Sequence, residues 1–477
     1  MKIPAKSTGL LLGPLLFLVI SRLTFLGSLE PAAWKVLAVA AWMITWWVTE
    51  ATPVAVAALL PIVVFPAMGI FSVGEVTQPY ANPVIFLFMG GFFIALGLEE
   101  HGLHRRLALN LVHLTGTSAN GIILGFMLAT AFLSMWISNT AATIMMLPIA
   151  STVISLISQT VNNNKGMSLF SLSLMLGIAY SANIGGMATV IGTPPNVVFA
   201  GYAKELIGTN IDFSKWMMIG IPVSAIMVFV TYILLTRILY RNKLGKMKTA
   251  SGLIGAELLK LGKMSREEKL VAAIFGLTAF MWIFKLPVNR LIGKEILNDT
   301  TTAIIGGILI FTVPADFKKG RNLVPWEATL RMPWGVLLLF GGGLTLAKAM
   351  ESTGLISIIA ALVENNNLSP LIVYLVLISS MLFLTELMSN VALATIFLPV
   401  AIGIAGGLGL DPLLLSIPLA MASSCAFMLP VSTPPNAIVF SSGHVSINQM
   451  VRTGFTLNVI SVLLLLAASF SIIKWVF

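Results

Sequence analysis

Four times in this chain a long apolar stretch is interrupted by a short polar or proline-bearing motif, and the interruptions form two ordered pairs. The first pair is Ser138-Asn139-Thr140 followed by Gly192-Thr193-Pro194-Pro195-Asn196. The second is Ser389-Asn390-Val391 followed by Ser432-Thr433-Pro434-Pro435-Asn436, and the two Ser-Asn motifs stand 251 residues apart. Broken helices at corresponding positions of two halves are the strongest sequence pointer to a binding site at mid-membrane.

The surroundings of those breaks fix the class. The 477 residues are 57% hydrophobic and only 10% charged, against about 25% charged in soluble domains. Apolar runs of about 20 residues, enough to cross a bilayer, recur throughout. The fold class is therefore an all-α polytopic membrane protein. The net charge of +10 does not indicate nucleic-acid binding. Its densest part is the segment 241–269, where Arg241, Lys243, Lys246, Lys248, Lys260, Lys263, Arg266 and Lys269 face only Glu257, Glu267 and Glu268. Basic loops beside spans mark the cytoplasmic face, and Arg105-Arg106 and Lys318-Lys319-Gly320-Arg321 mark it again. Cys425 is alone, so it forms no disulfide within the chain and no metal cluster. His101, His104, His113 and His444 lack metal-ligand spacing and read as interfacial. The start, with Lys2 and Lys6 before Leu10 to Ile20, resembles a signal peptide in outline. It lacks a small-residue cleavage site, so it reads as a retained first span with a cytoplasmic N-terminus.

Hydrophobic runs and breakers place spans near residues 9–28, 33–48, 52–70 and 83–98, then an interfacial helix from His101 to His113. Residues 119–159 form a hairpin broken at Ser138-Asn139, and 168–206 a helix broken at the prolines. A span over 216–240 precedes the basic linker. The second half repeats this order, with spans near 270–285, 301–314 and 334–350, a hairpin over 369–408, a broken helix over 412–440 and a last span over 453–476. Phe88, Gly90, Gly91, Ala95, Glu99, Gly102 and Leu103 recur as Phe340, Gly342, Gly343, Ala347, Glu351, Gly354 and Leu355 at a constant offset of 252. With both hairpins re-entrant and the first span set aside, each unit crosses five times. An odd number makes the repeat inverted, with about 11 spans in all. Parity then places every basic loop on the cytoplasmic side, whether the hairpins are re-entrant or cross twice.

Irregular backbone in lipid survives only beside protein or a watery cavity. Thr193 and Thr433 suit helix N-caps, each with proline at the first helical position, and Ser138-Asn139 and Ser389-Asn390 suit caps at the hairpin tips. Four helix starts meeting at mid-membrane would bind an anion without Lys or Arg. The carbonyls freed by proline, with the Ser, Thr and Asn oxygens, suit a small hard cation. Between Ala119 and Ala200 the only Lys, Arg, Asp or Glu is Lys165, and between Ser369 and Phe440 there are only Glu386 and Asp411. A bound dianion would want cations as partners, unless the nearby Lys348 serves. A span-end Glu50 reads as structural or interfacial. Glu386 reads either as functional or as a clamp on backbone N–H groups.

Through both Ser-Asn motifs, both Thr-Pro-Pro-Asn motifs, the paired glycines and the stretch Trp46 to Pro53, nearly the whole chain resembles the divalent anion/sodium symporter family of INDY-type dicarboxylate and citrate transporters. The resemblance implies a homodimer in which a transport domain moves as an elevator against a scaffold. Scaffold spans would fill 1–100 and 270–350, and the transport domain 101–206 and 351–440. The segments 207–240 and 441–477 would end each half, with 241–269 as cytoplasmic linker. Carboxylate-binding positions of the family map onto Ser138, Asn139, Thr140, Thr193, Ser389, Asn390, Thr433 and Pro434. Its Na⁺ sites map onto Ser134, Ser138, Asn139 and Gly192, and onto Thr385, Met388, Ser389, Asn390 and Ser432, several through carbonyls. Val391 departs from the Thr or Ala common at that place in relatives and offers a carboxylate no hydroxyl. The expected activity is secondary transport of C4-type dicarboxylates such as succinate, malate or fumarate in a plasma membrane, coupled to Na⁺. A sodium-independent exchanger is the alternative, then an anion channel. An enzyme is not expected, because the spans hold no nucleophile–base pair.

Overall fold

The structure, a computed structural model, describes residues 5–23, 29–116, 118–160, 163–245, 248–364 and 369–477. Lys2, Lys246, the end of the expected first span at 24–28, Asn162 and Asn365-Asn366-Asn367 lie outside the described residues. Among those described, eight helices are long and apolar enough to cross a membrane, and five shorter apolar helices accompany them.

The chain opens with α1 (Ala5–Arg22) and α2 (Pro31–Val48), an antiparallel pair joined by Phe17 on Trp42, ring centroids 5.2 Å apart. The expected span over 52–70 is not one helix. It is α3 (Val54–Ala57) and α4 (Leu60–Ala67). Pro61 stands at the second position of α4 and has no N–H to donate to the carbonyl four residues back, so the helix stops at Ala57 and restarts. Then come α5 (Val73–Thr77), closed by a Ser72/Glu75 capping box, and α6 (Pro83–Glu100). The amphipathic α7 (Leu103–Leu114) follows where an interfacial helix was expected.

The hairpin is α8 (Ala119–Ser134) and α9 (Asn139–Thr160). The first broken helix is α10 (Asn164–Gly186) and α11 (Pro194–Ile207). Its start lies four residues before the expected one, because the Asn163 side chain accepts from Gly166 N–H and caps it. α12 (Phe213–Ile233) ends in a π-helical turn, Leu234–Leu239. The linker carries α13 (Lys248–Leu261). Arg106 clamps it, with Nε and Nη2 3.0 and 3.1 Å from the Glu268 carboxylate and further bonds to the Leu261 and Gly262 carbonyls, while Arg105 reaches Glu257 at 3.0 Å.

The second half begins with α14 (Arg266–Ile292) and α15 (Asp299–Thr312), then a two-stranded antiparallel ribbon of β1 (Pro314–Asp316) and β2 (Arg321–Asn322). From α16 (Trp334–Ser352) the order of the first half returns. α17 (Leu355–Glu364) matches α7, the hairpin α18 (Pro370–Leu384) and α19 (Asn390–Gly407) matches α8–α9, and α20 (Pro412–Ala422) with α21 (Pro434–Ser441) is the second broken helix. α22 (Ile447–Ala468) ends, as α12 does, in a π-helical turn (Ser469–Ile473) before α23 (Lys474–Val476). The repeat-related Phe88 and Phe340 meet, with ring centroids 5.5 Å apart.

Candidate functional site

The four interruptions converge on one cavity of about 990 Å³. Ser138, Asn139 and Thr140 line it from the first hairpin, and Gly192 to Pro195 from the first broken helix. Met388 to Val391 and Ser432 to Pro435 do so from the second half. Helices α9, α11, α19 and α21 all begin at its wall. Trp47, Phe88, Phe92 and Val336 add apolar lining. Lys6 and Glu50, 3.6 Å apart, are the only charged side chains lining the cavity among the described residues, and both are largely exposed at its rim. Lys348 does not reach it and lies over the Phe71 ring at 5.9 Å.

Behind each hairpin tip the same arrangement of oxygens appears. Ser134 Oγ is 2.5 Å from Asn139 Oδ1 and 2.7 Å from the Ala182 carbonyl oxygen. Thr385 Oγ1 is 2.7 Å from Asn390 Oδ1 and 2.9 Å from the Ser423 carbonyl oxygen. A hydroxyl has one proton to donate, so each group holds one close oxygen pair with no hydrogen between. A small hard cation, which takes oxygen ligands, fits such a set. Ser134 and Thr385 are fully buried behind the cavity surface, not on it. Asn139 and Asn390 also line the cavity in front of these oxygens.

The helix breaks are themselves held by paired devices. Asn196 Nδ2 donates to the Thr189 and Gly186 carbonyls at 2.8 and 3.3 Å, and Asn436 Nδ2 to the Leu429 and Ala426 carbonyls at 3.1 and 3.0 Å. The Asn of each Thr-Pro-Pro-Asn motif thus satisfies the carbonyls that the break frees. Close approach also demands glycine at Gly192, where a Cβ would stand 2.5 Å from the Gly186 carbonyl oxygen.

Thr193, Ser389 and Thr433 hold the expected N-cap positions, though not all of them through a side-chain bond. Ser138 Oγ accepts from Ala141 N–H at 3.1 Å, and Thr433 Oγ1 from Asn436 N–H at 3.4 Å and Asn183 Nδ2 at 3.1 Å. Thr193 and Ser389 hold N-cap positions, but their side chains accept no capping bond. Both line the cavity, so their hydroxyls stay available to a ligand. Ser432 Oγ is engaged with Glu386 Oε2 at 2.6 Å, which leaves its carbonyl as the better cation ligand. Glu386 resolves as a clamp. It accepts from the N–H groups of Phe427, Met428 and Leu429, from Ser432 Oγ and from Asn458 Nδ2. Asn183 and Asn458 were not expected at the site. Each is a buried polar residue inside an apolar helix, which is the signal that could have found them.

The profile of the family described as "Sodium:sulfate symporter transmembrane region" matches residues 5–477. The chain is 41% identical over 466 residues to the sodium-dependent dicarboxylate transporter SdcS of Staphylococcus saprophyticus, covering 96% of this chain and 89% of that one. It is 42% identical over 467 residues to SdcS of Staphylococcus aureus strain MRSA252, with the same coverage. Among solved structures, the Alcanivorax borkumensis YdaH transporter superposes with a TM-score of 0.56 at 14% identity, over 84% of this chain and 86% of that one. The likeness supports the all-α polytopic fold.

Proposed function

The chain belongs to the sodium:sulfate, or divalent anion/sodium, symporter family, and from that premise we propose that it imports C4-type dicarboxylates, such as succinate, malate or fumarate, together with Na⁺. The observation that carries this reading is the convergence of all four helix breaks on one cavity without a charged side chain in its depth. Each helix start presents free N–H groups and about half a positive charge. The amides of Asn139 and Asn390 and the hydroxyls of Thr140, Thr193 and Ser389 add donors for two carboxylates. Dipoles alone are thin compensation for a dianion. The oxygen sets around Ser134 and Thr385 would each hold a Na⁺ beside it, adding full charges that arrive and leave with the substrate. The SdcS names, sodium-dependent and dicarboxylate, point the same way.

The polar tips and the apolar residues of α2, α6 and α16 reach the one cavity from separate elements. That division suits an elevator, in which the hairpins and broken helices carry the ligand past a wall that offers it no bonds. The scaffold would then be 1–100 and 270–350 and the moving part 101–206 and 351–440, in a homodimer in the plasma membrane with a cytoplasmic N-terminus. Val391 lines the site without a hydroxyl, which favours compact dicarboxylates with few groups to satisfy.

The test is succinate uptake into proteoliposomes with and without a Na⁺ gradient, and with and without internal dicarboxylate. Uphill accumulation driven by inward Na⁺ alone is the expected result. Uptake that requires internal dicarboxylate and ignores Na⁺ would establish exchange instead. Asn139→Ala abolishes uptake while the dimer stays intact on size-exclusion chromatography; wild-type rates in that variant would contradict the site.

A further inference from the structure

A second cavity, of about 360 Å³, lies at the end of α12, away from the breaks, and is lined by Asn120, Thr236, Arg237, Arg241 and Lys243. Three cationic side chains share it, and none has an acidic partner within ion-pair distance among the described residues. Like charges gathered in one concavity repel unless an anion joins them. The loop that gathers them is held in place. Asn242 is 3% exposed, and its Nδ2 donates to Asn120 Oδ1 at 2.9 Å while its Oδ1 accepts from Leu244 N–H at 3.0 Å. That bond leaves the amide N–H groups of Asn120, in the first turn of α8, for a ligand. Lys243 sits at φ 52°, a conformation that a residue with a Cβ adopts at a cost.

Exposed apolar side chains lie beside this cavity. Met218, Ile226, Phe229 and Ile238 are 47–62% exposed along one side of α12 and its π-helical turn. That apolar strip leads to the basic cavity. We propose that the cavity binds the phosphate headgroup of an anionic phospholipid, with its acyl chain along α12. Basic pockets at the cytoplasmic ends of spans suit such headgroups.

The experiment is native mass spectrometry of the purified full chain titrated with phosphatidylglycerol or phosphatidylcholine, with thermal unfolding followed alongside. Wild type should retain phosphatidylglycerol over phosphatidylcholine and unfold at a higher temperature in its presence. Arg237→Ala, Arg241→Ala and Lys243→Gly should each weaken retention roughly fivefold. Lys243→Gly also suits the backbone, so it loses lipid without losing the fold. Lys318→Ala/Lys319→Ala, on the separate β-ribbon, should leave retention unchanged. Three results overturn the proposal: equal loss in that control, equal retention of both lipids, or stabilisation by inorganic phosphate that matches the lipid's.

Discussion

At the scale of single residues, Glu386 shows how a charge lives inside an apolar helix pair. Its carboxylate gathers three consecutive N–H groups of the loop between α20 and α21, the Ser432 hydroxyl and the Asn458 amide. In Glu386→Ala these donors lose their acceptor in a buried site, at a cost on the order of 3 kcal/mol or more. The unfolding midpoint of the purified protein should fall sharply, and less in Glu386→Gln, which keeps one acceptor oxygen. An unchanged midpoint in both variants would remove the clamp role. The sequence left this glutamate open between function and anchoring, because the three donors are backbone groups some forty residues away and carry no residue signature. By contrast, the meeting of Asn139 and Asn390 at one cavity was legible, because each amide follows Ser in an otherwise apolar run and the pair repeats. Thr193 and Ser389 stand at the N-cap positions expected of them, but their hydroxyls make no capping bond, a detail of geometry that residue type alone does not encode.

At the scale of elements, the decisive contact is α8 on α10. A Cβ on Gly185 would stand 2.2 Å from the Ala131 carbonyl oxygen, and backbone cannot swing aside as a side chain can. Gly185→Ala therefore separates the two helices and pulls Ser134 Oγ from its 2.7 Å contact with the Ala182 carbonyl. The expected cost is about 1–3 kcal/mol, seen as a lower unfolding midpoint. The Na⁺ concentration for half-maximal uptake should rise severalfold, while Gly74→Ala, where a Cβ meets nothing within 4 Å, leaves it unchanged. The helices, hairpins and breaks followed from hydrophobic period and proline, and most bounds lie within a few residues of expectation, but α14 runs seven residues beyond the expected 285 and α22 starts six before the expected 453. What failed was the span over 52–70, where apolar content suggested continuity and Pro61 imposed a restart. The helix inside the basic linker was equally hidden, because the partners that hold it, Arg105 on Glu257 and Arg106 on the Leu261 carbonyl, stand on a distant element.

At the scale of the whole molecule, the question is which membrane face the central cavity addresses. Its rim holds Lys6 of α1, Glu50 just after α2 and Pro333 just before α16. α16 follows the ribbon that carries Lys318, Lys319 and Arg321, and α1 runs antiparallel to α2, so all three rim segments share the basic side. With the cytoplasmic N-terminus proposed above, the cavity would open toward the cytoplasm in this conformation. The chain offers a direct check, because its one cysteine, Cys425, is fully buried. Val431 lines the cavity and is 83% exposed. In Val431→Cys, an impermeant thiol reagent should react rapidly from the cytoplasmic face of inside-out vesicles, and wild type should stay unlabelled. Succinate with Na⁺ should slow the reaction by filling the space beside Ser432 and Thr433, and succinate without Na⁺ should slow it far less. Labelling from the opposite face alone would reverse the orientation read from the basic loops. Protection that ignores Na⁺ would sever the link between the oxygen sets behind the tips and the anion in front of them.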